Sequence, residues 1–209
     1  LLNRAPNCAT ASYRISTFEN FVRHVLQSTN DKRKLISSEL QNLFFSQILQ
    51  KNPITPLQST WNRLGIMPPT GTISHLSKAI AKLKGNAVSL ETLKAEEKAG
   101  GNLKNIIAIY EAYQNQLRET YIDQQSIYAV VSDVFSQINT ESVSKRLKLY
   151  FQGIDLVVII GFETFLPIHL ETLISLSNLP RISVAILLDV FPENEGLFGH
   201  VKKSYKKLL

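Results

Sequence analysis

One cysteine (Cys8), one methionine (Met67) and one tryptophan (Trp61) stand among 209 residues. A lone thiol closes no internal disulfide, so the chain is not a disulfide-stapled secreted scaffold. No apolar run approaches the roughly 20 residues a membrane-spanning helix requires, and no charged-then-apolar leader opens the sequence. A cytoplasmic setting with no membrane partner is therefore expected. Neither G-x-x-x-x-G-K-S/T nor G-x-G-x-x-G occurs, which removes the glycine-rich cradles for phosphate from this stretch. No G-x-S-x-G turn presents a hydrolase serine. His24, His75, His169 and His200 lack the i, i+4 pairing that builds a zinc site on a helix, so each reads as a surface or packing residue. No metal ligand and no catalytic residue is assigned.

What is present is enough for a core. Hydrophobic residues make up 44% and charged residues 19%, with a mean hydropathy of -0.02, which excludes an intrinsically disordered chain. Lys and Arg number 23 against 17 Asp and Glu, a formal net charge of +6 and a pI near 9.4. That balance is compatible with a polyanionic partner and equally with an ordinary solvated surface. The chain begins Leu1-Leu2-Asn3 without an initiator methionine and finishes at Leu209 inside a helical pattern with no stop signal. A fragment of a longer polypeptide is the expectation.

Periodicity divides the chain into three stretches. Ser12 to Ser16 alternates like a short strand, and Thr17 is placed to cap a helix whose Phe18, Phe21, Val22, Val25 and Leu26 form one apolar stripe. A second helix spans about Ser38 to Lys51, with Leu40, Leu43, Phe44 and Ile48 expected inward. Asn52 to Gly71, rich in proline, reads as a loop with a short turn near Trp61. From Thr72 the pattern is helical. Leu76, Ala79, Ile80 and Leu83 share a face that Gly85 is expected to end in the left-handed conformation, and Ser89 caps a more polar helix. A helix of about 18 residues follows from Leu103, roughly 27 Å long. Asp123 then caps another, with Ile127, Val130, Val131, Val134, Phe135 and Ile138 inward. The last stretch reads strand, helix, strand, helix. Leu156 to Ile160, ending at Gly161, is a continuous apolar run, expected of a parallel strand buried on both faces, and Ile182 to Leu188 reads as a second buried strand. Leu166 to Leu176 lies between them, and Leu197, Val201, Tyr205 and Leu208 mark a final helix. This order predicts a crossover unit of a doubly wound parallel α/β sheet.

Two lysine groups are the candidate binding residues. Lys78 and Lys82 are spaced i, i+4 with Lys84 close by, and Lys202, Lys203, Lys206 and Lys207 cluster on the last helix with no acid among them. Mobile point charges suit phosphate neutralisation, each contact releasing about one counterion. A solvated helix face is the plainer reading of either group alone. Tyr110, Tyr113, Tyr121 and Tyr128 suggest a base-stacking platform, but their helical spacing favours packing. Glu96-Glu97-Lys98 matches half of a metal-dependent nuclease signature, without the strand and upstream Asp such a site needs.

A strand leading into Ser16-Thr17-Phe18-Glu19-Asn20-Phe21, then a helical region containing Tyr110-Glu111-Ala112-Tyr113-Gln114-Asn115-Gln116-Leu117 and Ile122-Asp123, then a buried strand, resembles the first motor domain of UvrD-like superfamily 1 DNA helicases. In that family the strand ends in Asp-Glu, for Mg²⁺ and for the attacking water. Here Gly161 and Phe162 hold the corresponding Walker B positions and Glu163 falls one step late. The Gly161-Phe162-Glu163-Thr164-Phe165-Leu166-Pro167 pattern is similar to the B subunit of AddAB/RexAB-type helicase-nucleases, whose N-terminal half has a helicase fold degenerate for unwinding. Leu187-Leu188-Asp189-Val190-Phe191 stands where a motor would carry Gly-Asp-x-x-Gln.

The resemblance implies a P-loop NTPase-like (RecA-like) core, incomplete here, with an inserted all-helical subdomain. The corresponding division is residues 1–71 for the first part of the core, 72–140 for the insert and 141–209 for the rest of the core. It implies a non-motor domain serving DNA binding and subunit assembly in double-strand-break processing, with double- or single-stranded DNA and a helicase motor subunit as partners. ATP with Mg²⁺ and an iron–sulfur cluster are implied for the parent, not for this stretch. The alternatives are an active helicase whose phosphate loop lies upstream of Leu1, and a protein–protein scaffold without DNA contact.

Overall fold

Thr17 sits in extended backbone and its hydroxyl accepts the Asn20 amide at 3.2 Å, which starts α1 (Phe18–Gln27) as expected. Ser89 does the same for α4 (Leu90–Ala95), accepting from Thr92 at 3.1 Å. Asp123 caps α6 (Gln124–Ser136) through Ser126 at 2.9 Å. In each case a short polar side chain satisfies an amide that the first helical turn leaves without a partner. Between them lie α2 (Ser38–Lys51), α3 (Thr70–Gly85) and α5 (Leu103–Leu117), followed by α7 (Lys145–Tyr150) and α8 (Pro167–Ser177). The computed structural model describes residues 14–51, 66–96, 103–137, 145–162 and 164–187.

Two parallel strand pairs complete the described residues. The pair β1 (Lys34–Leu35) and β2 (Tyr121–Ile122) matches Lys34 with Tyr121 and Leu35 with Ile122. The pair β3 (Leu156–Ile160) and β4 (Ser183–Leu187) runs in register from Leu156 opposite Ser183 to Ile160 opposite Leu187, with α8 as the connection. The chain is thus α/β and mostly helical. The short β1–β2 bridge has no signature in sequence, because two residues are too few for any alternation to register.

Hydrophobic contact gathers these elements into two clusters. One is built on α2 to α5 around Phe45, Leu49, Ile80, Tyr113 and Leu117. The other joins α1, α6, α7 and α8 to the β3–β4 pair around Val25, Ile127, Phe135, Ile159 and Leu173. Chain order and packing therefore differ: α2 shares a core with the helices after residue 70, and α6 shares one with the sheet. Helix α3 spans the two, packing on α2 at one side and on α6 and α8 at the other.

Four expectations need correction. Residues 14–16 form no strand; Ile15 is exposed, and Arg14 instead lies over the Tyr150 ring and donates to the Tyr150 carbonyl at 3.1 Å. Helix α2 turns Phe45, Ile48 and Leu49 inward and leaves Leu43 46% exposed. Its rotation is set by the Phe45 ring, which stacks on Tyr113 at 4.5 Å, rather than by the stripe expected through Leu43. Gly85 stays helical, and the left-handed residue after α3 is Ala87, at φ 56. Gly85 is there for space: a Cβ would stand 3.2 Å from Leu166 Cδ1, where α3 meets the start of α8. Last, β3 is covered on one face only. Ile159 is buried, while Leu156, Val158 and Ile160 are exposed, because the helices of the described residues pack on a single side. Ser12, Tyr13, Trp61, Ile138 and the helix expected from Leu197 to Leu208 lie outside the described residues.

The rotation of α2 is open to direct measurement. Phe45→Ala removes a fully buried ring and is expected to lower stability by about 3–5 kcal/mol, whereas Leu43→Ala on the adjacent face changes it by less than about 0.5 kcal/mol. Urea unfolding of the two variants against the parent chain distinguishes this packing from the reverse.

Candidate functional site

Strand β3 delivers the chain to Gly161, whose φ of 80 is a left-handed conformation that a side chain disfavours. The turn there sends Phe162 back over the sheet cluster. Its ring stacks on Phe165 at 4.6 Å with the planes 6° apart, and meets Phe18 edge-on at 5.5 Å. His169 closes the group, 4.6 Å from the Tyr128 ring and 5.8 Å from Phe18. Its Nδ1 is buried without a hydrogen-bond partner, and burial holds the imidazole below its ordinary pKa. The end of the strand is a packed aromatic knot.

A Mg²⁺-nucleotide requires carboxylate oxygens at such a strand end. Gly161 has no side chain and Phe162 presents only a ring, so the described residues do not fit that group and no chemical step through it follows. Asp155 precedes β3 at its opposite end, while Glu163 and Asp189 lie outside the described residues. An iron–sulfur cluster needs several thiolates, which one cysteine does not supply. Among the described residues, no group of three or more His, Cys, Asp or Glu side chains could hold a metal ion. His24 and His75 stand apart from His169, on α1 and α3, and no described helix is long and apolar enough to cross a membrane.

The candidate lysines separate. Lys78 and Lys82 are exposed on α3, as the spacing implies. Lys84 is not available to phosphate: it is 7% exposed, and its ammonium forms an ion pair with the Asp123 carboxylate that caps α6. It also donates to Ser126 Oγ at 3.0 Å and lies over the rings of Tyr113 at 5.1 Å and Tyr110 at 5.6 Å. Two residues turn a helix by about 200°, so Lys84 cannot share the face of Lys82. It shares the face of Ile80 and Ile73, which sequence spacing could have shown. Lys202, Lys203, Lys206 and Lys207 lie outside the described residues.

Burial pushes the Lys84 ammonium below its ordinary pKa while Asp123 acts in the opposite sense. Burial also pushes the Tyr113 hydroxyl up, the nearby Asp123 charge adding to it; that hydroxyl accepts from Gln41 of α2 at 3.0 Å. One ion pair with its aromatic walls therefore draws α2, α3, α5 and α6 to a single point. The Tyr110 and Tyr113 rings serve packing and the ammonium rather than a stacking platform for bases.

Two parallel strand pairs wrapped by helices, the longer pair ending in packed aromatics, define a mixed α/β protein. Its whole length, residues 1–209, is matched by the family model described as "ADDB, N-terminal". The chain belongs to this family, the N-terminal part of AddB-type helicase-nuclease subunits. A search of curated proteins finds no match.

Three outcomes follow from this geometry. Asp123→Ala is expected to cost about 3–5 kcal/mol, since it strands a buried ammonium. Pairing Lys84→Met with Asp123→Asn, which keeps an α6 cap, should lose less than Lys84→Met alone, as a thermodynamic cycle from urea titrations would show. For His169, a pKa lowered in the folded state means the unfolded chain takes up protons first as the pH falls. Its stabilising contribution is thus present above the ordinary histidine value near 6.5 and is lost on acidification. His169→Gln should flatten the fall in melting temperature between about pH 7.5 and 5.5 relative to the parent.

Proposed function

We propose that this chain is a non-motor, helicase-like part of its AddB-type subunit, serving DNA binding and assembly with a motor subunit in double-strand-break processing. The observation that carries this reading is the aromatic knot at Gly161-Phe162. A motor places its Mg²⁺ and water-positioning acids at that strand end, and here a carboxylate at 161 would have to occupy left-handed backbone while Phe162 is engaged with Phe18 and Phe165. In this reading β3, α8 and β4 belong to a RecA-like doubly wound sheet, and the exposed Lys78 and Lys82 of α3 neutralise DNA phosphates. The family's helicase-nuclease character supports the setting.

The tests address catalysis and binding separately, both in the assembled two-subunit complex. Glu163→Gln should leave ATP hydrolysis unchanged, because the nearest acid has no catalytic part; a collapse of turnover would reinstate an active nucleotide site. Lys78→Ala and Lys82→Ala should each lower the slope of log affinity against log salt for duplex DNA by about one unit, with no change in sequence preference. Slopes equal to the parent's in both variants would remove DNA from this face.

A further inference from the structure

A polar cavity of about 230 Å³ lies where the β1–β2 bridge joins two loops of the helical region. The Lys34 amide donates to the Thr120 carbonyl at 2.9 Å and the Ile36 amide to the Ile122 carbonyl at 3.0 Å. Those bonds bring the loop before β1 against the turn after α5. Arg33 from the first and the exposed Arg118 from the second line the cavity together with Ser126 and Gln114. The two arginines stand 85 positions apart by number, which is why no charge run in the sequence marks them.

Both arginines are held in unusual ways. Asp31 accepts the Arg33 amide at 2.9 Å, its Nε at 3.0 Å and its Nη2 at 2.5 Å, and the Asp31 amide in turn donates to Thr29 Oγ1 at 3.1 Å. This fork fixes the guanidinium plane, with the Nη1 donors forming no hydrogen bond among the described residues. A planar group held from one edge is preorganised to grip an oxyanion with the other. Arg118 follows α5 at φ 34, a backbone conformation that favours glycine. A cation at a helix C-terminus gains about 0.3–1 kcal/mol from the helix dipole, which offsets the strain in part without filling the cavity. Arg118 has no ion-pair partner among the described residues. Ser126 Oγ receives Lys84, so its own proton is available to donate. Asp31 balances Arg33 and Asp123 balances Lys84, which leaves the charge of Arg118 uncompensated.

We propose that this cavity is a phosphate site, gripped by Arg33 and Arg118 with Ser126 as a neutral donor, and that its ligand is a phosphate of a nucleic-acid strand. The choice of nucleic acid rests on the function proposed above; the phosphate chemistry rests on the cavity alone. Arg118→Gly is the informative variant because it removes the guanidinium and relieves the backbone at once. In the assembled complex it should keep or raise the melting temperature while lowering the salt slope for duplex DNA by about one unit. Arg33→Lys, which keeps the charge but loses the fork, should weaken DNA binding at fixed salt.

An unchanged slope in Arg118→Gly, alongside a lowered slope in Lys78→Ala, overturns the cavity and leaves DNA binding standing. Salt-independent DNA titration of the parent complex overturns the nucleic-acid ligand for both sites. Inorganic phosphate supplies the last arm, followed by ³¹P line broadening. Broadening lost in Arg118→Gly with an unchanged DNA slope assigns a small free anion and overturns the strand. Broadening lost together with a lowered slope supports the proposal.

Discussion

The ion pair between Lys84 and Asp123 is the constraint on which the arrangement of the rest depends. An ammonium taken from water loses solvation worth several kcal/mol, and only a partner held at contact offsets that loss. Asp123 can be such a partner because it is fixed twice, as the cap of α6 and as the residue following β2. Lys84 is fixed by its place in the last turn of α3, between Ile80 and the close approach of Gly85 to Leu166. Each hydrophobic cluster could slide against the other at modest cost, since apolar contact has no direction. The pair removes that freedom. It sets where α3 ends relative to where α6 begins, and so sets the path of β2 and of the loop that carries Arg118.

Seen from there, the two clusters have different tasks. The helical one is held by stacking and by buried tyrosines whose hydroxyls need partners, so it accepts few alternative packings. The sheet cluster mixes aliphatic side chains with rings from α1, α6 and α7 that meet at Phe135 and Phe151, and Thr172 ties α8 to α6 by donating to the Ile168 and Tyr128 carbonyls at 2.8 and 3.2 Å. That bond fixes α8 over β3 and β4, and with it the position of the knot at the strand end. Membership of the AddB N-terminal family spans residues 1–209, and within that span the chain packs rings at the end of β3, where Phe162 meets Phe18 and Phe165.

Much of this was legible in the sequence because it is local. Thr17, Ser89 and Asp123 mark helix starts through bonds that span three residues, and the apolar runs of β3 and β4 need no partner to be recognised. What was not legible depends on distance. Leu43 and Phe45 are equally apolar, and only Tyr113 on another helix decides which one is buried. Lys84 reads as a surface cation until its periodicity with Ile80 is weighed and Asp123, 39 residues later, is brought beside it. Arg33 and Arg118 meet across a two-residue bridge that no pattern announces. The single covered face of β3 escapes the sequence for the same reason, since a continuous apolar run reports that a strand can be covered twice, not that it is.

That one-sided strand has its own consequence. Leu156, Val158 and Ile160 project in a row from five residues, a ledge of roughly 16 Å at about 3.3 Å per residue. Water ordered along it is released by whatever layer comes to rest there, so the sheet is thermodynamically unsaturated: its strands have a second half of their hydrophobic stabilisation still to collect. Until then the pair is packed from one side, and its inter-strand amides should be the softest of the sheet cluster to hydrogen exchange.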